Sequence, residues 1–357
     1  MPVNIKTDTF EKTLLATAVA GALGLAAMPA QALEAEVSGH VNRALMAADD
    51  GTDSRTTFVD NTTSNSRFRF TGTEEVTPDL RAGIFVEFSI ASSNSSAVSI
   101  QDPEADFGVG ERHIDTFVEG DFGKLSLGQG DGAGNGATEV DQSGTFIAGY
   151  SAANLIGGSV AFRDSGGGLG PTISATYSNF DFYSRHDRVR YDTPALGGIT
   201  FSVSHGTAGG EDSTTIAARQ SLDVGAGQLA WALGSGSQSG TGTDITGGSA
   251  SLLIDSGLNV TLAVADTEDN FTGNDGGNLV YTKLGYKQGR NAFSVDFGVV
   301  EDLDAVGDES EVMGVQYLHK PIDWMEVYVS GKTHSLDRSG QDFDDVSILF
   351  AGTRIKF

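Results

Sequence analysis

Between Leu33 and Phe357 the chain alternates polar and apolar side chains with a period of two, the signature of β-strands whose two faces meet different surroundings. Leu80, Ala82, Ile84, Val86, Phe88 and Ile90 make one apolar file, interleaved with Arg81, Gly83, Phe85, Glu87 and Ser89. The rhythm recurs in residues 200–205, 228–234, 250–254, 259–265, 281–287, 293–300, 312–319 and 326–332. In the last stretch Leu349, Ala351, Thr353, Ile355 and Phe357 form a file that stops on an aromatic at the final residue. No helix-period segment of comparable strength interrupts it, so the chain is all-β.

The connections alternate in length as regularly as the side chains alternate in polarity. Tight turns at residues 75–79, 120–123, 194–198, 255–257, 288–291 and 321–323 are followed by long polar loops at residues 48–64, 91–108, 266–278 and 301–309. Short turns at one end and long loops at the other describe an up-and-down antiparallel barrel threaded through a membrane. In hydrocarbon every backbone N–H and C=O must be paired within the protein, so a sheet spans only by closing on itself. One face of each strand then meets lipid, and a polar opposite face implies water inside. A secreted solenoid or sandwich would need an internal repeat or an apolar interior, and the sequence has neither. The strand count is 16 if residues 130–186 are one very long loop, and 18 if residues 158–162 and 172–177 form a hairpin in the wall.

Residues 1–32 read as a processing segment. Lys6 and Lys12 precede an apolar run from Thr13 to Met28, and Ala30-Gln31-Ala32 follows as a small-residue cleavage site. The run is shorter than the roughly 20 residues that span a bilayer. The expectation is export by a signal cleaved after Ala32, leaving a barrel domain at residues 33–357. Asp8 and Glu11 balance the two lysines, so the net charge of −26 belongs to the exported part.

That charge excludes a nucleic-acid binder with a general basic surface. The absence of cysteine excludes disulfides, thiolate metal sites and thiol nucleophiles. The six histidines have no metal-ligand spacing and no serine is marked as a nucleophile, so no enzyme and no cofactor are expected. Asp49, Asp50 and Asp53, and Glu301, Asp302, Asp304 and Asp308, offer hard oxygen ligands for weak divalent-cation binding, with solvated loops the plainer reading.

Against this background the chain resembles the trimeric general porins of Gram-negative proteobacteria. The resemblance is carried by residues 36–45 (EVSGHVNRAL), by SRFRFTGTEE and GIFVEF (residues 66–75 and 83–88), by ERHIDTFVEGDFGKLSLGQ (residues 111–129), by DRVRYDTPALGGITFSVSH (residues 187–205) and by the terminal Phe357. It implies 16 strands, with residues 130–186 as a third loop folded into the lumen. It implies a passive channel for ions and small hydrophilic solutes in the cell outer membrane, a homotrimer amid outer-membrane lipids and lipopolysaccharide. Phe357 is then the signal offered to the barrel-assembly machinery. The other reading of the same barrel is a closed one with an adhesive or structural role.

The resemblance also implies a constriction in which the loop carboxylates Glu139 and Asp141 face arginines of the wall. Arg67 matches the family's wall position, Arg69 shares its face, Arg112 opens the fourth strand, and Arg188 competes with Arg185 and Arg190 for a further place. Arg67 and Arg69 alternate with Phe68 and Phe70, and a basic residue facing lipid near midplane costs roughly 2–4 kcal/mol, so the arginines point inward. The plainer alternative is that they only neutralise Glu74 or Glu87. Arg43 shares its parity with Val41 and Leu45, which suits a bulge or a subunit interface. The acid excess predicts a modest cation preference that weakens with salt.

Overall fold

The structure is a computed structural model, and it describes residues 33–240, 243–269 and 276–357. The segment read as a signal lies outside the described residues. The strands are β1 (Glu34–Asp49), β2 (Ser54–Asp60), β3 (Arg67–Thr77), β4 (Leu80–Ala91), β5 (Gly108–Gly120), β6 (Gly123–Asp131), β7 (Ala161–Asp164), β8 (Leu169–Thr172), β9 (Arg185–Asp192) and β10 (Ile199–Ala208). They continue as β11 (Glu211–Asp223), β12 (Gly227–Gln238), β13 (Thr243–Ile254), β14 (Leu258–Asp269), β15 (Asn278–Gln288), β16 (Asn291–Glu301), β17 (Glu309–Ile322), β18 (Met325–Asp337), β19 (Phe343–Asp344) and β20 (Val346–Lys356).

Each wall strand pairs antiparallel with the next, and β20 returns to β1, where His40 lies opposite Lys356 and Asp49 opposite Ser347. The result is a closed 16-strand antiparallel barrel. Phe357 fastens the seam: its N–H donates to the Gly39 carbonyl at 3.0 Å and its carbonyl accepts from the Gly39 N–H at 2.9 Å. The hairpin that could have raised the count exists, as β7 and β8, but it pairs with β19 in a separate three-stranded sheet and adds nothing to the wall.

One expected loop turns out to be mostly strand. Residues 54–60 pair with β1 as β2, so the connection after β1 is only residues 50–53. The second wall strand is therefore split: β2 pairs with the outer part of β1, β3 with the inner part, and residues 61–66 leave the ladder between them. Asn61 there donates to the Ile147 carbonyl at 2.8 Å and to the Tyr328 hydroxyl at 2.9 Å, which draws the break inward. At the β10–β11 hairpin the sequence allows a two-residue turn, because Gly209 and Gly210 both adopt positive φ, 63° and 91°.

Alternation separates the two faces of the wall. Phe293, Val295 and Phe297 are exposed on the outer file of β16, while Ala292, Ser294 and Asp296 are buried between them. The same holds for Met313 and Val315 against Val312 and Gln316 on β17. Residues 132–184, between β6 and β9, bond to several of these inward residues. The Val140 and Gln142 amides donate to the Ser249 and Ser251 hydroxyls of β13, at 2.8 and 2.9 Å, and Thr145 bonds Ser294 at 2.6 Å.

Candidate functional site

On β3, β4 and β5 three guanidinium groups meet one carboxylate. Arg69 and Glu87 are cross-strand partners on β3 and β4, and Arg67 sits one inward position along. A register shift between Glu87 and Phe88 accommodates an extra residue on β5, Arg112, and turns it towards the same acid. Glu87 accepts from Arg112 Nε at 2.5 Å, Arg69 Nη2 at 2.6 Å and Arg67 Nη1 at 3.3 Å. The Arg69 guanidinium also lies 5.2 Å from the centre of the Phe85 ring. Glu87 is buried, yet 41% of the Arg69 side chain is exposed, so solvent reaches this inward-facing cluster.

A second group of arginines continues the basic strip. Arg185 bonds Asp131 at 3.2 Å, Arg190 bonds Asp192 at 2.8 Å, and Arg219 donates to the Asn135 carbonyl at 2.7 Å. Arg188 belongs to the wall itself: it is buried, bonded to Asp115 at 2.7 Å and to the carbonyls of Gly128 and Asp131 at 3.0 Å each. Of the arginines named from sequence, Arg67, Arg69 and Arg112 are brought together, and Arg188 is held apart from them. Arg219 was not singled out from sequence, although its inward parity on β11 was a usable signal.

The two loop carboxylates have partners of their own. Asp141 bonds Lys283 Nζ at 2.8 Å with both side chains almost fully buried, so it acts as an anchor of residues 132–184 on β15. Glu139 accepts from the Asn179 side chain at 3.1 Å, and burial together with the neighbouring Asp181 raises its pKa above the usual carboxylate range. Burial raises Asp181 as well, against the opposing pull of the Gly136 and Thr138 amides. Neither Glu139 nor Asp141 is paired with Arg67, Arg69 or Arg112. Arg43 is on the outer face, 3.5 Å from Asp60.

In the acidic loops arginines take up several of the carboxylates considered for divalent cations. Arg163 bridges Asp50 and Asp53, at 2.9 and 2.6 Å, and Arg338 bridges Asp304 and Asp308, at 2.5 Å each.

Solved structures share this architecture at low identity. An anion-selective porin from Comamonas acidovorans superposes with a TM-score of 0.65 at 16% identity, covering 91% of this chain and 99% of that one. A multiply substituted Rh. blastica porin gives 0.57 at 16% identity, covering 90% and 100%. The trimer form of OmpT, an outer membrane protein of Vibrio cholerae, gives 0.58 at 13% identity, covering 92% and 100%. Comparison with curated protein sequences gave no match. Residues 16–338 match the profile described as Gram-negative porin, a span that includes nearly all the wall and the arginine cluster. The chain belongs to the Gram-negative porin family.

Proposed function

We propose that the chain forms a water-filled outer-membrane channel for passive diffusion of ions and small hydrophilic solutes, narrowed between residues 132–184 and the arginines of β3, β5, β9 and β11. The observation that carries this reading is the solvent exposure of Arg69 inside a closed barrel whose outer file is apolar. Water that hydrates an inward guanidinium is water a small solute can replace. The likeness to the trimer form of OmpT favours a homotrimer. Lipid and lipopolysaccharide surround the outer file in this reading, and Phe357 is the terminus presented for assembly.

Ion preference follows from two fields of opposite sign. The acid excess of the chain favours cations at the mouths, and it acts over the Debye length, about 10 Å at 0.1 M salt and about 3 Å at 1 M. With Asp141 tied to Lys283 and the half-buried Glu139 held above the usual carboxylate range, the charged groups beside the solute path are mainly arginines, which favour anions. The channel therefore prefers cations modestly in dilute salt and loses or reverses that preference in concentrated salt. Reversal potentials across a salt gradient, taken at several mean concentrations, test this. A cation preference that persists undiminished at 1 M salt contradicts it.

A further inference from the structure

Behind residues 132–184, on the side away from the arginine cluster, charged residues share one rung of the wall. Lys283, Asp296, Gly314 and Lys332 are successive cross-strand partners on β15, β16, β17 and β18. Lys283 is satisfied by Asp141 and by the Gly149 carbonyl, at 2.8 and 2.6 Å. Asp296 uses one carboxylate oxygen, Oδ2, to accept from the Tyr281 hydroxyl at 2.9 Å. Its other oxygen, Oδ1, has no hydrogen-bond partner, and neither has Lys332 Nζ. Both residues are buried, Asp296 at 5% and Lys332 at 3% exposure.

These orphaned atoms have company. Gln316 presents an unpartnered Nε2 while its Oε1 is fixed by Ser294 at 2.5 Å. The Ser330 and Tyr177 hydroxyls and both ring nitrogens of His334 are likewise buried and unpartnered. Ser330, Lys332 and His334 are consecutive inward positions of β18, a line of about 13 Å at a strand's rise.

Glycines let these polar atoms lie close against the backbone. A Cβ on Gly149 would sit 3.1 Å from Lys332 Nζ and 3.2 Å from Gln316 Nε2. One on Gly314 would overlap Asp296 Oδ1 and lie 2.6 Å from Gln316 Nε2, and one on Gly298 would overlap the Tyr177 hydroxyl.

We infer an enclosed hydration site between Lys332, Asp296 and Gln316, in which ordered water links Lys332 to Asp296 and bonds Gln316, with further water along Ser330, Tyr177 and His334. Charge identifies the occupant. Lys332 offsets Asp296 and Lys283 offsets Asp141, so the group has no net charge to hold an ion. A bare anion would face Asp296 and a bare cation Lys332. Water donates to the carboxylate, accepts from the ammonium and amide, and finds the two to four polar partners that a buried water requires. The site adds one more attachment of residues 132–184 to the wall, beside the Asp141–Lys283 ion pair and outside the solute path.

Hydroxyl-radical footprinting of the folded protein in detergent, read by mass spectrometry, tests the site. Tyr177 and His334 have no solvent exposure, and Phe350 is an equally buried reference. The expected result is oxidation of Tyr177 and His334 several-fold faster than Phe350. A brief mix into oxygen-18 water before the pulse should leave the unlabelled isotope in their products. Gly314→Ala, whose methyl takes the space beside Asp296 and Gln316, should reduce the Tyr177 and His334 signals. Oxidation of both residues no faster than Phe350 in the wild type overturns the inference. Immediate uptake of oxygen-18 also overturns it, since that marks bulk water passing a loosened segment.

Discussion

Arg69 and Glu87 stand opposite each other on adjacent strands, with the guanidinium Nη2 2.6 Å from the carboxylate Oε2. Glu87 holds Arg67 and Arg112 as well, so one acid aligns three positive groups on one side of the lumen. Replacing it leaves them mutually repelling. Glu87→Gln should lower stability by about 3 kcal/mol, the low end for breaking a buried pair, because lumen water screens Arg69. It should also shift reversal potentials towards anions. Thermal unfolding and bilayer recordings check both, and unchanged selectivity would place the cluster away from the solute path.

Arg67→Ala removes bulk and positive charge from the same side. Single-channel conductance should rise and cation preference should strengthen in dilute salt. If neither changes, Arg67 serves only to neutralise Glu87.

The Asp141–Lys283 ion pair ties residues 132–184 to β15 in surroundings without solvent. Lys283→Met strands the Asp141 carboxylate and should release that stretch, giving larger current noise and faster proteolysis between residues 132 and 184. A quiet channel with unaltered proteolysis would show that the hydrogen bonds to Ser249 and Ser251 suffice.

Glu139 gives the segment a pH dependence. Its pKa is raised in the folded protein by burial and by Asp181, so its contribution is fully present below the ordinary carboxylate range and is lost as pH rises through the raised value. Amide exchange at residues 136–140, corrected for its intrinsic pH dependence, should therefore accelerate as pH rises from mildly acidic to about 8 and level off above that. Glu139→Gln, which cannot ionise, should flatten that change. An equal pH dependence in the variant would move its origin to another group.

The assembly state is open to a direct check. Extracted in mild detergent, the protein should sediment as a trimer and dissociate on heating. A monomer under those conditions would contradict the assembly proposed here.

The barrel was legible because lipid and lumen impose opposite polarities on alternate residues, and files such as Leu349 to Phe357 record that demand directly. The inward arginines of β3 were legible for the same reason. Partners far apart in the chain were not, because a long connection between strands leaves no period in the sequence. Asp141 lies 142 residues from Lys283, and nothing local marks the pair. The break between β2 and β3 was hidden likewise, since Ser54–Asp60 is short and polar at its start and reads as loop until β1 is seen beside it. Arg112 owes its place to a register shift, which parity alone does not reveal.

Conductance of the purified protein in planar lipid bilayers tests the central claim most directly. The account predicts stepwise insertion of open channels whose current is proportional to voltage at low voltage and scales with the conductivity of the bathing salt. Bilayers that stay silent, with folded barrel verified in the same membranes, would mean that residues 132–184 close the lumen and that the protein is a structural barrel instead of a channel.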